Sequence, residues 1–144
     1  MSNPNSENPR VGRNFQRLVR EVFSERYNDD FEMEAEIPIG SPPKNHRFDL
    51  ANKERSIVVE CKCYTWTETG HVPSAKLMGL DEAIFYFGFL PSTAHKIVCM
   101  KKAVYPGKTE TLAEYYVRIH GHLLGNVSVY EMSDNGAIRE IRKG

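Results

Sequence analysis

Residues 46–64 read HRFDLANKERSIVVECKCY. Two short apolar runs, 46–51 and 56–64, flank the polar tetrad 52–55, and that pattern predicts a β-hairpin. Alternate side chains of a strand share a face. Ile57, Val59, Cys61 and Cys63 therefore form one apolar row that belongs to the core. Val58, Glu60, Lys62 and Tyr64 form the other row, which turns from apolar to charged, so Glu60 and Lys62 are expected to point together towards a partly open edge. With the turn centred on Lys53 and Glu54, Asp49 falls opposite Val58, one diagonal step from Glu60, at roughly 7–8 Å or less between Cα atoms. A turn shifted by one residue brings Asp49 and Glu60 directly opposite. In either register two carboxylates and a lysine converge.

Outward from the hairpin, residues 12–27 place Phe15, Leu18, Val19, Val22 and Phe23 at three- and four-residue spacing, which predicts an amphipathic helix. The stretch 31–39, FEMEAEIPI, alternates like a half-exposed strand, and 40–45, GSPPKN, is turn chemistry. After the hairpin comes a polar loop, 65–72. Pro73 and Ser74 open a helix to about Gly88 or Leu90. A strand over 95–104, a helix from Thr109 and a strand over 126–132 complete the reading. Thr109 can cap its helix, but the reciprocal acid is missing because the third residue on is Leu112. The order α-β-β-β-α-β-α-β predicts an α/β (α+β) fold, a mixed sheet flanked by helices.

The length of 144 residues suits one domain with a core that needs no staples. Residues 1–10, MSNPNSENPR, are expected to be a disordered tail ahead of a single domain over 11–144. They do not read as a signal peptide. Nineteen basic residues balance nineteen acidic ones, which argues against a nucleic-acid coat protein but leaves room for a local basic groove. No segment reaches the ~18 apolar residues of a transmembrane helix, so no membrane partner is expected. Three cysteines fit a reducing, cytoplasmic setting better than a secreted scaffold.

Two converging carboxylates repel unless a cation sits between them. Few, hard oxygen ligands with open positions for water and phosphate are what Mg²⁺ prefers. Such a centre polarises a phosphoryl oxygen and activates water, and a neighbouring lysine can orient that water or offset charge in the transition state. The pattern therefore points to metal-assisted phosphodiester hydrolysis.

Asp49, an eleven-residue step, then Glu60-Cys61-Lys62 at the end of an apolar strand resembles the signature of the PD-(D/E)XK, restriction-endonuclease-like nuclease superfamily. The family's core order, α-β-β-β-α-β, matches the reading over roughly residues 12 to 102. The resemblance implies a DNA endonuclease, with Asp49 and Glu60 on Mg²⁺ (Mn²⁺ as a substitute) and Lys62 assisting the nucleophile. The family's proline before the Asp is replaced by Phe48. The opening GRNFQ, 12–16, resembles the Gly-x-x-Phe-Glu start of resolvase- and Mrr-like members, with Gln16 where their site glutamate stands; Glu21 is the substitute acid on that helix. The competing expectation is a catalytically inactive module on the same fold that binds DNA or a partner protein, which Gln16 in place of an acid favours. An ordinary interaction protein with coincidental strand charges is the third.

The loop after the charged strand offers Trp66 to stack on a base and His71 and Lys76 to meet phosphate, or is merely a solvated loop with its Trp packed on the surface. Lys101, Lys102 and Lys108 read as a solvated face rather than a phosphate track. Cys61, Cys63 and Cys99 lack the spacing of a zinc site and read as core thiols. The helix segment 83–90, AIFYFGFL, is apolar nearly all round. It is either buried on several sides or meets a second copy, and a homodimer suits an enzyme that cuts both strands of a duplex. His120 and His122 are expected only to end a helix.

Overall fold

The computed structural model describes residues 9–144. Its elements run α1 (Pro9–Tyr27), β1 (Phe31–Ile39), β2 (Lys44–Asn52), β3 (Ile57–Lys62), α2 (Ser74–Phe87), β4 (His95–Lys101), α3 (Leu112–His120), a short 3-10 turn (Gly121–Leu123), β5 (Val127–Met132) and β6 (Ile138–Arg142). The six strands form one mixed sheet in sequence order. β1, β2 and β3 pair antiparallel, β3, β4 and β5 parallel, and β5 and β6 antiparallel. The expected class holds, with β6 as an additional strand.

The strand limits shift by a few residues, β2 taking in Lys44 and Asn45 and β4 ending at Lys101, and three differences have local reasons. α1 starts at Pro9, so Pro9 and Arg10 leave the expected tail; proline's fixed φ and missing N–H suit a first helical turn. The rest of that expectation, residues 1–8, lies outside the described residues. The third helix starts at Leu112, not Thr109. Thr111 is its cap, accepting from the Glu114 amide while Glu114 accepts from the Thr111 amide, a complete capping box. β6 follows a turn in which Asn135 accepts from the Ala137 amide and Gly136 takes a φ of +85°.

Both faces of the sheet are covered. α1 lays Phe15, Val19 and Phe23 on Leu50, Val59, Ile97, Cys99 and Met132. α2 and α3 lay Leu77, Leu80, Phe87, Leu112 and Tyr116 on the opposite face, against Phe48, Val58, Val98, Met100 and Val129. Central strands buried on both sides read as continuous apolar runs rather than as alternation, which explains 57–59 and 97–100. Each such Val or Ile contributes about 1.5–3 kcal/mol by leaving water.

The β1–β2 ribbon changes face part-way along. Phe31 and Met33 pack towards α1, whereas Ala35, Ile37 and Ile39 pack towards α2 and α3. On β2, Leu50 and Phe48 divide in the same way. The changeover falls at Glu34, whose φ of +56° is left-handed, and at Asp49, which would be its partner in the register that joins Met33 to Leu50 and Ala35 to Phe48. The odd-numbered apolar row of β1 is therefore not one face, as strict alternation implies, but two half-faces joined at a bend.

Candidate active site

β2 and β3 share only two ladder positions, Leu50 with Val59 and Ala51 with Val58. The next step would set Asp49 against Glu60. There side chains replace the backbone ladder: the Asp49 amide donates to Glu60 Oε1 at 3.2 Å, and the Cys61 amide donates to Asp49 Oδ2 at 2.8 Å. The hairpin turn is thus centred between Glu54 and Arg55, one residue beyond Lys53–Glu54, with the Arg55 amide closing on the Asn52 carbonyl at 3.0 Å. Of the two expected registers, the directly opposed one forms.

Glu60 does not lie at an open edge; it is only 8% exposed. Burial comes first among the causes that push its carboxyl well above the usual range, followed by the charge and hydrogen bond of Asp49; Lys62 acts in the opposite sense. Two carboxylates so close repel each other, and a cation between them would relieve that repulsion. Two carboxylates, hard oxygen donors, converge here; no group of three or more His, Cys, Asp and Glu is arranged for a metal among the described residues.

Lys62 ends β3 on the same face as Glu60. Burial lowers the pKa of its ammonium, but Tyr64, Glu60 and Asp49 outweigh burial, and the net shift is upward, so the charge is retained. Lys62 also donates to the Tyr64 hydroxyl. Gly79 of α2 permits this crowding: a Cβ there would stand 3.0 Å from the Tyr64 hydroxyl and 4.0 Å from Lys62 Nζ.

Gln16 reaches the same place from α1. It is buried, and its Nε2 donates to the Asp49 carbonyl at 2.8 Å and to Glu34 Oε1 at 3.3 Å. Glu21, the alternative on that helix, is exposed, whereas Gln16 reaches Asp49. Sequence reasoning missed Glu34 because it sits in the polar row of an apparently regular strand. Its left-handed backbone, which costs a non-glycine residue about 1–2 kcal/mol, has no sequence signal.

The residues expected to meet DNA divide. Trp66 is only 4% exposed and donates to the Ala103 carbonyl at 3.1 Å, so it is a core residue and not a stacking wedge. Its apolar bulk goes to the α3 face because the loop folds back over the sheet end. His71 is exposed, 2.7 Å from the Thr69 hydroxyl through Nδ1. It lines a cleft of about 450 Å³ with Lys108, Arg118, Thr109 and Glu110. Lys108 stands 4.9 Å above the Trp66 ring, while Arg118 is held by Glu110 at 2.8 Å. Lys76 is half-buried in the first turn of α2.

The three cysteines are free; Cys99 is buried and Cys61 and Cys63 half-buried, and burial raises all three thiols. His120 ends α3 and also stacks on Tyr116, 3.5 Å from Asp81. No family model, curated protein or solved structure matches the chain.

Proposed function

We propose that the chain is a small Mg²⁺-dependent DNA endonuclease with a PD-(D/E)XK-type site. The observation that carries this reading is the broken β2–β3 ladder, where the Asp49 and Glu60 carboxylates each accept from a backbone amide of the opposite strand, with Lys62 two residues on. Asp49 and Glu60 would hold the metal. When bound, the ion supplies a Lewis acid for the phosphoryl oxygen and a more acidic water. Lys62, charged and partly desolvated, orients the attacking water and offsets negative charge that grows on the phosphate oxygens. Gln16 braces Asp49 through its main-chain carbonyl.

The DNA strand would continue from Lys62 across the carboxyl ends of β3 and β4, where the cleft presents His71 and Lys108. Ligands of parallel strands are met at this end of a sheet. A second copy would dock on α2, whose Met78 and Phe85 are 69% and 64% exposed, with Phe89, 48% exposed, just past its end; sedimentation across a concentration series reports it.

The test is cleavage of plasmid and branched DNA with Mg²⁺ or Mn²⁺, beside Lys62→Ala. The variant is expected to keep its fold and DNA binding and to lose about 100-fold or more in rate. Unchanged cleavage by Lys62→Ala would sink the assignment. A second reading, an inactive module on the same fold, is favoured by an amide at Gln16 where an acid is expected. It requires that calorimetry find no Mn²⁺ binding at the paired carboxylates.

A further inference from the structure

We infer that Glu34 is a positioning residue of this site, acting through Gln16 on the segment that carries Asp49. The inference rests on the endonuclease reading and extends it to a residue outside the sequence motif.

Three observations lead there. Glu34 holds a left-handed backbone in the middle of a strand, a conformation that side-chain-bearing residues rarely adopt. That conformation falls where the β1–β2 ribbon changes face and where Asp49 leaves the β3 ladder. Lastly, Glu34 Oε1 accepts from the same Gln16 nitrogen that donates to the Asp49 carbonyl. Backbone conformations of this kind, kept by a residue unsuited to them, gather at functional sites.

The chemistry of the amide sharpens the role. A carboxylate and a main-chain carbonyl only accept, so the amide of Gln16 must turn its NH₂ towards both. Its Oε1 is then left as an acceptor, on a side chain only 7% exposed. Glu34 and the Asp49 carbonyl together set that orientation; without Glu34, one of the two N–H groups loses its acceptor. Glu34 meets the site through the Gln16 amide. It acts as the outer partner that holds an inner group in place.

A bend residue and a positioning residue are separable, because glycine keeps the left-handed backbone and removes only the carboxylate. The experiment compares the full chain with Glu34→Gly, Glu34→Gln, Gln16→Ala and the Glu34→Gly/Gln16→Ala double variant. Melting temperature, Mn²⁺ binding by calorimetry, and kcat and KM for DNA cleavage are measured on each. Glu34→Gly is expected to melt no lower than the unaltered chain, to bind Mn²⁺ more weakly, and to lose about 10-fold in kcat with KM for DNA unchanged. Glu34→Gln retains an acceptor of the same reach and is expected to recover most of that loss. The double variant is expected to be no slower than Gln16→Ala alone, since one residue acts through the other.

The inference is overturned if Glu34→Gly cuts at the full rate, if its loss tracks a fall in melting temperature, or if the two single losses multiply in the double variant. An unaltered chain that neither cuts DNA nor binds Mn²⁺ removes the endonuclease reading and this inference with it. An unaltered chain that cuts, beside a Glu34→Gly that cuts equally well, removes this inference alone.

Discussion

At Gly79 the helix α2 forgoes a side chain so that Tyr64 and Lys62 can approach it. In a helix interior Ala is favoured over Gly by about 0.8–1 kcal/mol. Here the added methyl would stand 3.0 Å from the Tyr64 hydroxyl, tighter than ordinary contact, so the ring must move and take the hydrogen-bonded Lys62 ammonium with it. Gly79→Ala is therefore expected to show no gain in melting temperature and, on the proposed endonuclease reading, a reduced cleavage rate. A variant that melts higher by the full propensity gain and cuts normally would show that the close approach has no functional part. Glu60 shows the same economy of space: burial and Asp49 push its carboxyl upward, and the Asp49 amide and Lys62 offset only part of that cost.

At the scale of elements, α3 is anchored at its first turn. The Thr111 hydroxyl donates to Glu131 Oε1 at 2.7 Å and accepts from the Glu114 amide at 3.1 Å. Glu131 is only 2% exposed, and Arg139 of β6 closes on its other oxygen at 3.0 Å. β6, the strand without a clear sequence signal, thus supplies the cation that makes a buried carboxylate tenable. Thr111→Ala removes a cap and one donor to a buried charge together, so a loss of about 2 kcal/mol or more is expected, with Thr111→Ser close to normal; chemical denaturation measures both. The pH dependence has a definite sign. The Thr111 amide, ahead of the other causes, holds the Glu114 carboxyl below its usual range in the folded chain. Its contribution is therefore complete above the ordinary glutamate pKa and is lost as pH falls through the lower folded value. Glu114→Gln is expected to flatten that acid limb of the stability curve.

For the whole molecule, charge is neutral overall yet unevenly used: the carboxylates of the proposed centre sit between β2 and β3, while His71 and Lys108 gather at the carboxyl ends of β3 and β4. If the substrate strand crosses that end of the sheet, Lys108→Ala should weaken DNA binding uniformly across sequences and reduce the salt slope by about one, leaving kcat at saturating DNA unchanged. Binding titrations at several salt concentrations decide it; an unaltered slope removes Lys108 from the path. The same end of the sheet is closed from within by Trp66, whose burial fixes the loop that presents His71.

The residues of the motif are legible in the sequence because periodicity is local. Alternation along 56–64 groups Glu60 with Lys62, and a hairpin of that length must bring Asp49 near them. The class of fold is legible for a related reason, since strands buried on both faces and helices with one apolar stripe announce themselves in composition and spacing. Tertiary structure decided what depends on neighbours remote in sequence. The register was settled by a turn shifted one residue towards Arg55, and the exposure of Glu60 by two covering layers of helix. Trp66 was drawn inward by a carbonyl thirty-seven residues away, and Thr111 was made the cap by Glu114 and Glu131 together. The bend at Glu34 has no local signature, because a glutamate in the polar row of a strand looks the same whether or not its backbone turns left-handed. Only the packing of β1 and β2 against different helices on either side of that residue requires the turn.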